Sequence, residues 1–375
     1  NINGAMQLAD DSQAQISHTS FVLNAGCGIL LSTRSGVNIS DSIFDHNYEC
    51  NQGGAISVLD YATAEVYASN FTENSASMGA SIFSSGYAQQ YYNGCKFDGG
   101  AADYGGGFFG ALHSRTEIDF CEFSNHVVHG DGGAIYAVEE SGFWIQDSNF
   151  FNNLNTYGDG GAVYLSSTFG SQINRCNFTR NIVWQGVGGA IRVAKQGVLA
   201  MFGCHGQHNE ASATSGGFAM INEEASLTIT ASNLTHNEAT FGGAISCSSF
   251  NSAALMIYDS LLEHNHAHFD GGGIFALTSY FVAENVIFRD NKAINYGGGL
   301  FFRQGIEQTI PNFKNLKFHQ NTAYYGGGVS VNYATLNSIR SQECYFEYGF
   351  RYTGLATYCF KQRQQCILWR RNLYV

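Results

Sequence analysis

The sequence predicts an all-β chain wound as a right-handed parallel β-helix of about 13 coils, with about 27 residues in each. Three observations predict it. A glycine pair recurs with its first member at Gly132, Gly160, Gly188, Gly216, Gly242, Gly271, Gly297 and Gly326, in steps of 26 to 29 residues. A Phe-x-x-Asn or Leu-x-x-Asn motif keeps the same register, at Phe44–Asn47, Phe71–Asn74, Phe150–Asn153, Phe178–Asn181, Leu234–Asn237, Leu262–Asn265, Phe288–Asn291 and Phe318–Asn321. Proline occurs once, at Pro311, in a chain with 45 glycines. Because proline cannot donate to a strand ladder, its near-absence suits a chain that is mostly ladder.

Each motif has a physical role in such a coil. The residues after the glycine pair alternate with a period of two, as in Ala134-Ile135-Tyr136-Ala137-Val138. No helical period accompanies them, which sets aside helical arrays and leucine-rich repeats. A coil of this length holds three short strands and three turns, and stacking the coils at about 4.8 Å gives a rod roughly 60 Å long. The Phe points inward and stacks on its neighbours. The Asn is expected at the bend itself, with its amide bonded along the stack as a ladder of Asn47, Asn74, Asn153, Asn181, Asn237, Asn265, Asn291 and Asn321. The motif weakens at Phe97, Phe123 and Phe346, where Asn is missing. Residues 1–350 read as a single β-helix, and 351–375 as a basic, aromatic cap or inter-subunit tail.

Low charge (13%) with 44% hydrophobic residues excludes disorder, and a net charge of −12 argues against a nucleic-acid partner. The charge is unevenly spread. Arg340, Arg351, Lys361, Arg363, Arg370 and Arg371 face only Glu343 and Glu347 in the last stretch, so the body carries the acidic excess. An acidic rod with open strand edges and a basic tail is expected to associate end to end, and a contact that does not close on itself propagates as a filament. No apolar run is long enough to span a bilayer. Ten cysteines without a zinc spacing favour an oxidising, extracellular compartment.

Several residues are candidates for chemistry. Asn38, Asn70, Asn177 and Asn233 head N-x-Ser/Thr sequons, and the last three share one coil position. Alternation turns those Asn outward, making N-linked glycans the expected modification. Cys95 and Cys121 lie one coil apart, as do Cys176 and Cys204, and Cys359 and Cys366 lie close together in the tail. Coil spacing leaves disulfides and stacked thiols both open. Asp131 and Asp159 precede glycine pairs in adjacent coils. They suit Ca²⁺, or an acid–base pair for cleaving a polysaccharide, although solvated turn carboxylates are the simpler reading and no Arg or Lys is close in sequence. His236 and His264 stack before their ladder Asn residues. With His266 and His268 they read as loop histidines, a transition-metal cluster being the sharper alternative. Tyr104, Phe241, Tyr296 and Tyr325 take the aspartate's place in other coils, and read as packing or as a sugar-stacking row.

The pairing of Gly-Gly-Ala-Ile with Phe-x-x-Asn resembles the repeat of chlamydial polymorphic outer-membrane proteins, in the passenger domains of surface adhesins. It is also similar to repeats of large surface proteins of bacteria and protists with the pectin-lyase-like fold. The resemblance runs from about Gly26 to Phe346 and implies an extracellular or cell-surface structural or adhesive role. The expectation is therefore a non-enzymatic glycoprotein without a cofactor, whose partners are its own copies and surface or matrix glycans or proteins. The rival is a polysaccharide lyase or glycoside hydrolase with Asp131 and Asp159 at its centre.

Overall fold

The structure is a computed structural model that describes residues 5–304 and 311–332. The coil expected at Phe346, the tail 351–375, Cys359 and Cys366 lie outside the described residues. Among those residues the chain is all-β, a parallel β-solenoid of about 12 turns. One coil stands for the rest: β1 (Ile135–Ala137), β2 (Gly142–Gln146), β3 (Asn149–Phe151) and β4 (Leu154–Asn155). Each pairs in parallel with its counterpart one coil on, β1 with Val163–Ser166 and β3 with Asn177–Thr179. Counterparts of β1 and β2 share a 23-stranded sheet, those of β3 form a 12-stranded sheet, and those of β4 an eight-stranded and a two-stranded one.

The fourth strand, one more than expected, arises from how sharply the chain bends between β1 and β2. Val138 to Ser141 is a tight turn closed by the Ser141 amide on the Val138 carbonyl at 3.0 Å. Its central residues, Glu139 and Glu140, have φ of 52° and 62°. Two successive left-handed residues make a type I′ turn, normally the territory of Asn and Gly. The same conformation recurs at Asp60–Tyr61 and Glu223–Glu224, so stacking on the coils above and below imposes it.

The core is a column of rings. Phe21, Phe44, Phe71, Phe97, Phe123, Phe150 and Phe178 stack with neighbouring centroids 4.6–4.9 Å apart. Such pairs add about 0.5–1.5 kcal/mol each beyond the area they bury. At the next coil the register holds Gly206 instead of Phe. Phe218, where other coils place Ala, fills the gap and meets Phe178 edge-on at 5.8 Å.

Beside the rings runs the amide ladder. Asn47 Nδ2 donates to Asn74 Oδ1 at 2.8 Å, and Asn74 Nδ2 to the Phe44 carbonyl at 2.9 Å. The second run goes from Asn153 through Asn181, Asn209, Asn237, Asn265 and Asn291 to Asn321, with amide-to-amide bonds of 2.9–3.0 Å. Asn209 is a member that the Phe-x-x-Asn pattern misses, and Asn24 extends the first run. The bend expected at the Asn is one residue earlier: Asn152, Arg180 and His236 take φ of 55°, 54° and 55°. The left-handed residue reverses the chain, and the buried Asn then clamps the reversal to the coils on either side.

Between the two runs the ladder positions are Gly100 and His126. His126 is fully buried, and its Nδ1 accepts the Gly100 amide at 2.9 Å as an Asn oxygen would. Burial pushes this imidazole down to about 4 against a partial upward pull from Asp98. The unfolded chain therefore takes up the proton near pH 6.5 and the folded chain only near 4. Between those values the unfolded state binds more protons, so stability falls as pH drops, by about 3 kcal/mol in all. His126→Asn is expected to remove that slope, read as the difference between the two proteins' urea midpoints at pH 4 and pH 7.

Candidate functional site

Asp131, Asp159 and Asp270 occupy equivalent places before their glycine pairs. Asp131 Oδ1 accepts the Asp159 amide at 2.7 Å, Asp159 Oδ1 the Val187 amide at 2.9 Å, and Asp270 Oδ1 the Tyr296 amide at 3.0 Å. Each carboxylate thus staples its turn to the next coil. Burial raises the Asp131 and Asp270 carboxyls above the usual range, with the backbone hydrogen bond each accepts opposing it.

Sequence proximity placed no cation near the aspartates, and here the fold corrects it. Tyr136, Tyr164 and Arg192 are in register on successive coils, which brings Arg192 beside Asp159. Arg192 is buried; its Nε lies 3.2 Å from Asp159 Oδ2, and its Nη2 donates to Asn222 Oδ1 at 2.6 Å. Its third nitrogen, Nη1, is buried without a protein partner. Tyr136 and Tyr164 stack at 5.0 Å alongside. The arrangement offers an acid whose proton is held more tightly than usual, a paired carboxylate and a fixed guanidinium.

The aromatic residues that replace aspartate at this position pack either against the neighbouring column or on one another along the stack. Tyr104 meets Tyr136 at 5.3 Å, Phe241 meets Phe275 at 5.0 Å, and Tyr296 stacks on Tyr325 at 4.9 Å. Tyr104 and Tyr296 keep more than a third of their surface exposed, so packing and an accessible ring coexist in one column.

On a separate sheet, the β3 counterparts present Asn70, Asn177 and Asn233 outward, each followed by a buried Phe71, Phe178 or Leu234. Asn177 and Asn233 line an open trough of about 860 Å³ with His205, Gln207, Thr179 and Thr235. Asn38 is exposed on a β2 counterpart and donates to Glu65 at 3.2 Å.

Cys95, Cys121, Cys176 and Cys204 are free, buried thiols. The reason lies in the column they share with serines. Ser69 Oγ donates to the carbonyl two residues back at 2.8 Å, and Cys121 and Cys176 do the same at 3.2 Å. Burial pushes the Cys176 and Cys204 thiols up to about 12 and about 11, keeping them protonated and unreactive. The disulfide among the described residues is Cys27–Cys50, a pair the repeat register does not single out.

Five histidines fall in two groups on neighbouring coils. His208, His236 and His264 form a stack with centroids 5.0 and 4.9 Å apart. His266 and His268 follow on the strand His266–Asp270. No model of a protein family, no curated protein and no solved structure matches this chain.

Proposed function

We propose that the protein is a non-enzymatic, extracellular or cell-surface rod, glycosylated along one side, that offers its flat faces to surface or matrix glycans or proteins. The observation that carries this reading is the use made of its aspartates. Asp131 and Asp159, the two candidates for acid–base work, hold the amides of neighbouring turns, as Asp270 does where no pair exists. Steady coil length adds support, since steps of 26 to 29 residues leave little chain for loops that would wall a cleft. The acidic excess of the body against the basic residues between Arg340 and Arg371 favours head-to-tail association.

A second reading has one observation in its favour. The buried guanidinium of Arg192, 3.2 Å from Asp159 and near the raised carboxyl of Asp131, makes a polysaccharide lyase or hydrolase of the pectin-lyase-like kind the rival. Incubation with neutral and acidic polysaccharides separates the two. The rod is expected to leave every polymer intact, and to sediment as longer species at low salt than at high salt. Depolymerisation that disappears in Asp131→Asn overturns the structural reading and establishes the rival.

A further inference from the structure

Three side chains at the second histidine group meet in a way that neither the core nor the turns require. His266 and His268 are two residues apart on one strand, so both point outward around the buried Ala267. Glu238 lies one coil earlier, in register with His266. Its Oε1 is 2.7 Å from His268 Nε2 and 3.5 Å from His266 Nδ1, and the three donor atoms lie within 4.8 Å of one another. The two rings meet edge to face at 4.6 Å.

We propose that Glu238, His266 and His268 form a surface site for a divalent transition metal of the zinc class, with water completing the coordination. Two imidazoles and a carboxylate suit such an ion, whereas Ca²⁺ and Mg²⁺ ask for an all-oxygen shell. Metal bonds of about 2.0–2.1 Å at tetrahedral angles put neighbouring donors about 3.3 Å apart. Glu238 Oε1 and His266 Nδ1 already have nearly that spacing, and a small rotation opens the shorter contact to His268. All three residues sit on strands of a single sheet, so the site is set by backbone register and not by a loop.

Charged side chains flank the site along the stack. Lys292 follows His266 in register on the next coil. It is exposed, and its long side chain can turn its ammonium towards solvent. On the other side Glu210 is in register with Glu238 and adds negative charge. A second grouping, Glu263, His264 and Asp290, lies nearby. Its Glu263 is already paired with Arg289 at 3.0 Å, leaving it the poorer ligand set.

The test uses the full chain without an affinity tag, stripped with a chelator and titrated with Zn(II) by calorimetry and with Co(II) by visible absorption. One ion per chain is expected, with the intense Co(II) bands of a four-coordinate site. His268→Ala and Glu238→Gln should each weaken binding at least about 10-fold, the smallest loss typical even of residues that only support a ligand. His18→Ala, on an exposed histidine far along the rod, should bind as the parent does. Because His268 and Glu238 are on the outer face, circular dichroism of both variants should match the parent. Two outcomes overturn the assignment: no binding by the parent, or unchanged binding by His268→Ala, including the case in which His236→Ala loses the ion. That case would place the ion in the imidazole stack instead.

Discussion

Asn209→Ala is expected to destabilise the rod by about 4 kcal/mol, although it removes only one small polar side chain. Asn209 is fully buried. Its Nδ2 donates to Asn237 Oδ1 at 2.9 Å and to the Phe178 carbonyl at 3.0 Å, and its Oδ1 accepts both the backbone and side-chain nitrogens of Asn181 at 3.0 Å. Truncation leaves several of those groups with no water to turn to, and each stranded buried group costs about 1–3 kcal/mol. Asn209→Asp should cost more near neutral pH, since a carboxylate there faces the Asn237 and Phe178 oxygens it cannot donate to. Asn177→Ala changes the same residue type on the outer face and should stay within about 0.5 kcal/mol. Urea midpoints at unchanged m-value measure all three. An Asn209→Ala midpoint equal to that of Asn177→Ala would mean the ladder follows the fold without stabilising it.

Asn209 also marks where the sequence stops being legible. The repeat is readable because the Phe anchors the register, and at Gly206 the anchor is gone. The bulk that replaces it, Phe218, arrives 12 residues later, from the glycine-pair corner. A search for Phe-x-x-Asn therefore passes over a coil whose core is filled from another side. Arg192 is hidden for a different reason. It meets Asp159 across 33 residues of chain, a contact that follows from coil register and not from nearness. The Glu139–Glu140 turn carries no Gly or Asn to announce it, since its left-handed backbone is imposed by the stack. The cysteines show the converse. Their spacing was plain, but the choice between thiol and disulfide depended on seeing that serine fills the same place in other coils, where a hydroxyl donates to the same carbonyl. What repeats in the sequence was readable, and what one coil borrows from another was not.

The glycine pair makes the sharper prediction, because a Cβ on either member would meet backbone. Gly160 has φ of 70°, so a side chain there carries the left-handed penalty of about 1–2 kcal/mol, and its Cβ would also lie 2.5 Å from the Val163 carbonyl oxygen. Gly161 has no such backbone strain. A Cβ on Gly161 would lie within 3.0 Å of both the Gly189 carbonyl oxygen and the Ile182 nitrogen, each part of the backbone of a coil stacked against it. Neither can move aside as a flexible side chain would, since each is tied into its own ladder, so relief requires that the coils part locally. Gly161→Ala is accordingly expected to cost about 4 kcal/mol or more, at the far end of what single substitutions do. Gly170→Ala is the matched control: nothing lies within 4 Å of a Cβ there, and its midpoint should remain within about 0.5 kcal/mol of the parent. In a solenoid each coil touches only its neighbours, so the damage should also be local. Amide exchange in Gly161→Ala should quicken first across the coils that contain Gly133, Gly161 and Gly189, and last at Phe44 and Phe318. Uniform loss of protection along the whole chain would instead mean that the rod unfolds as one cooperative unit.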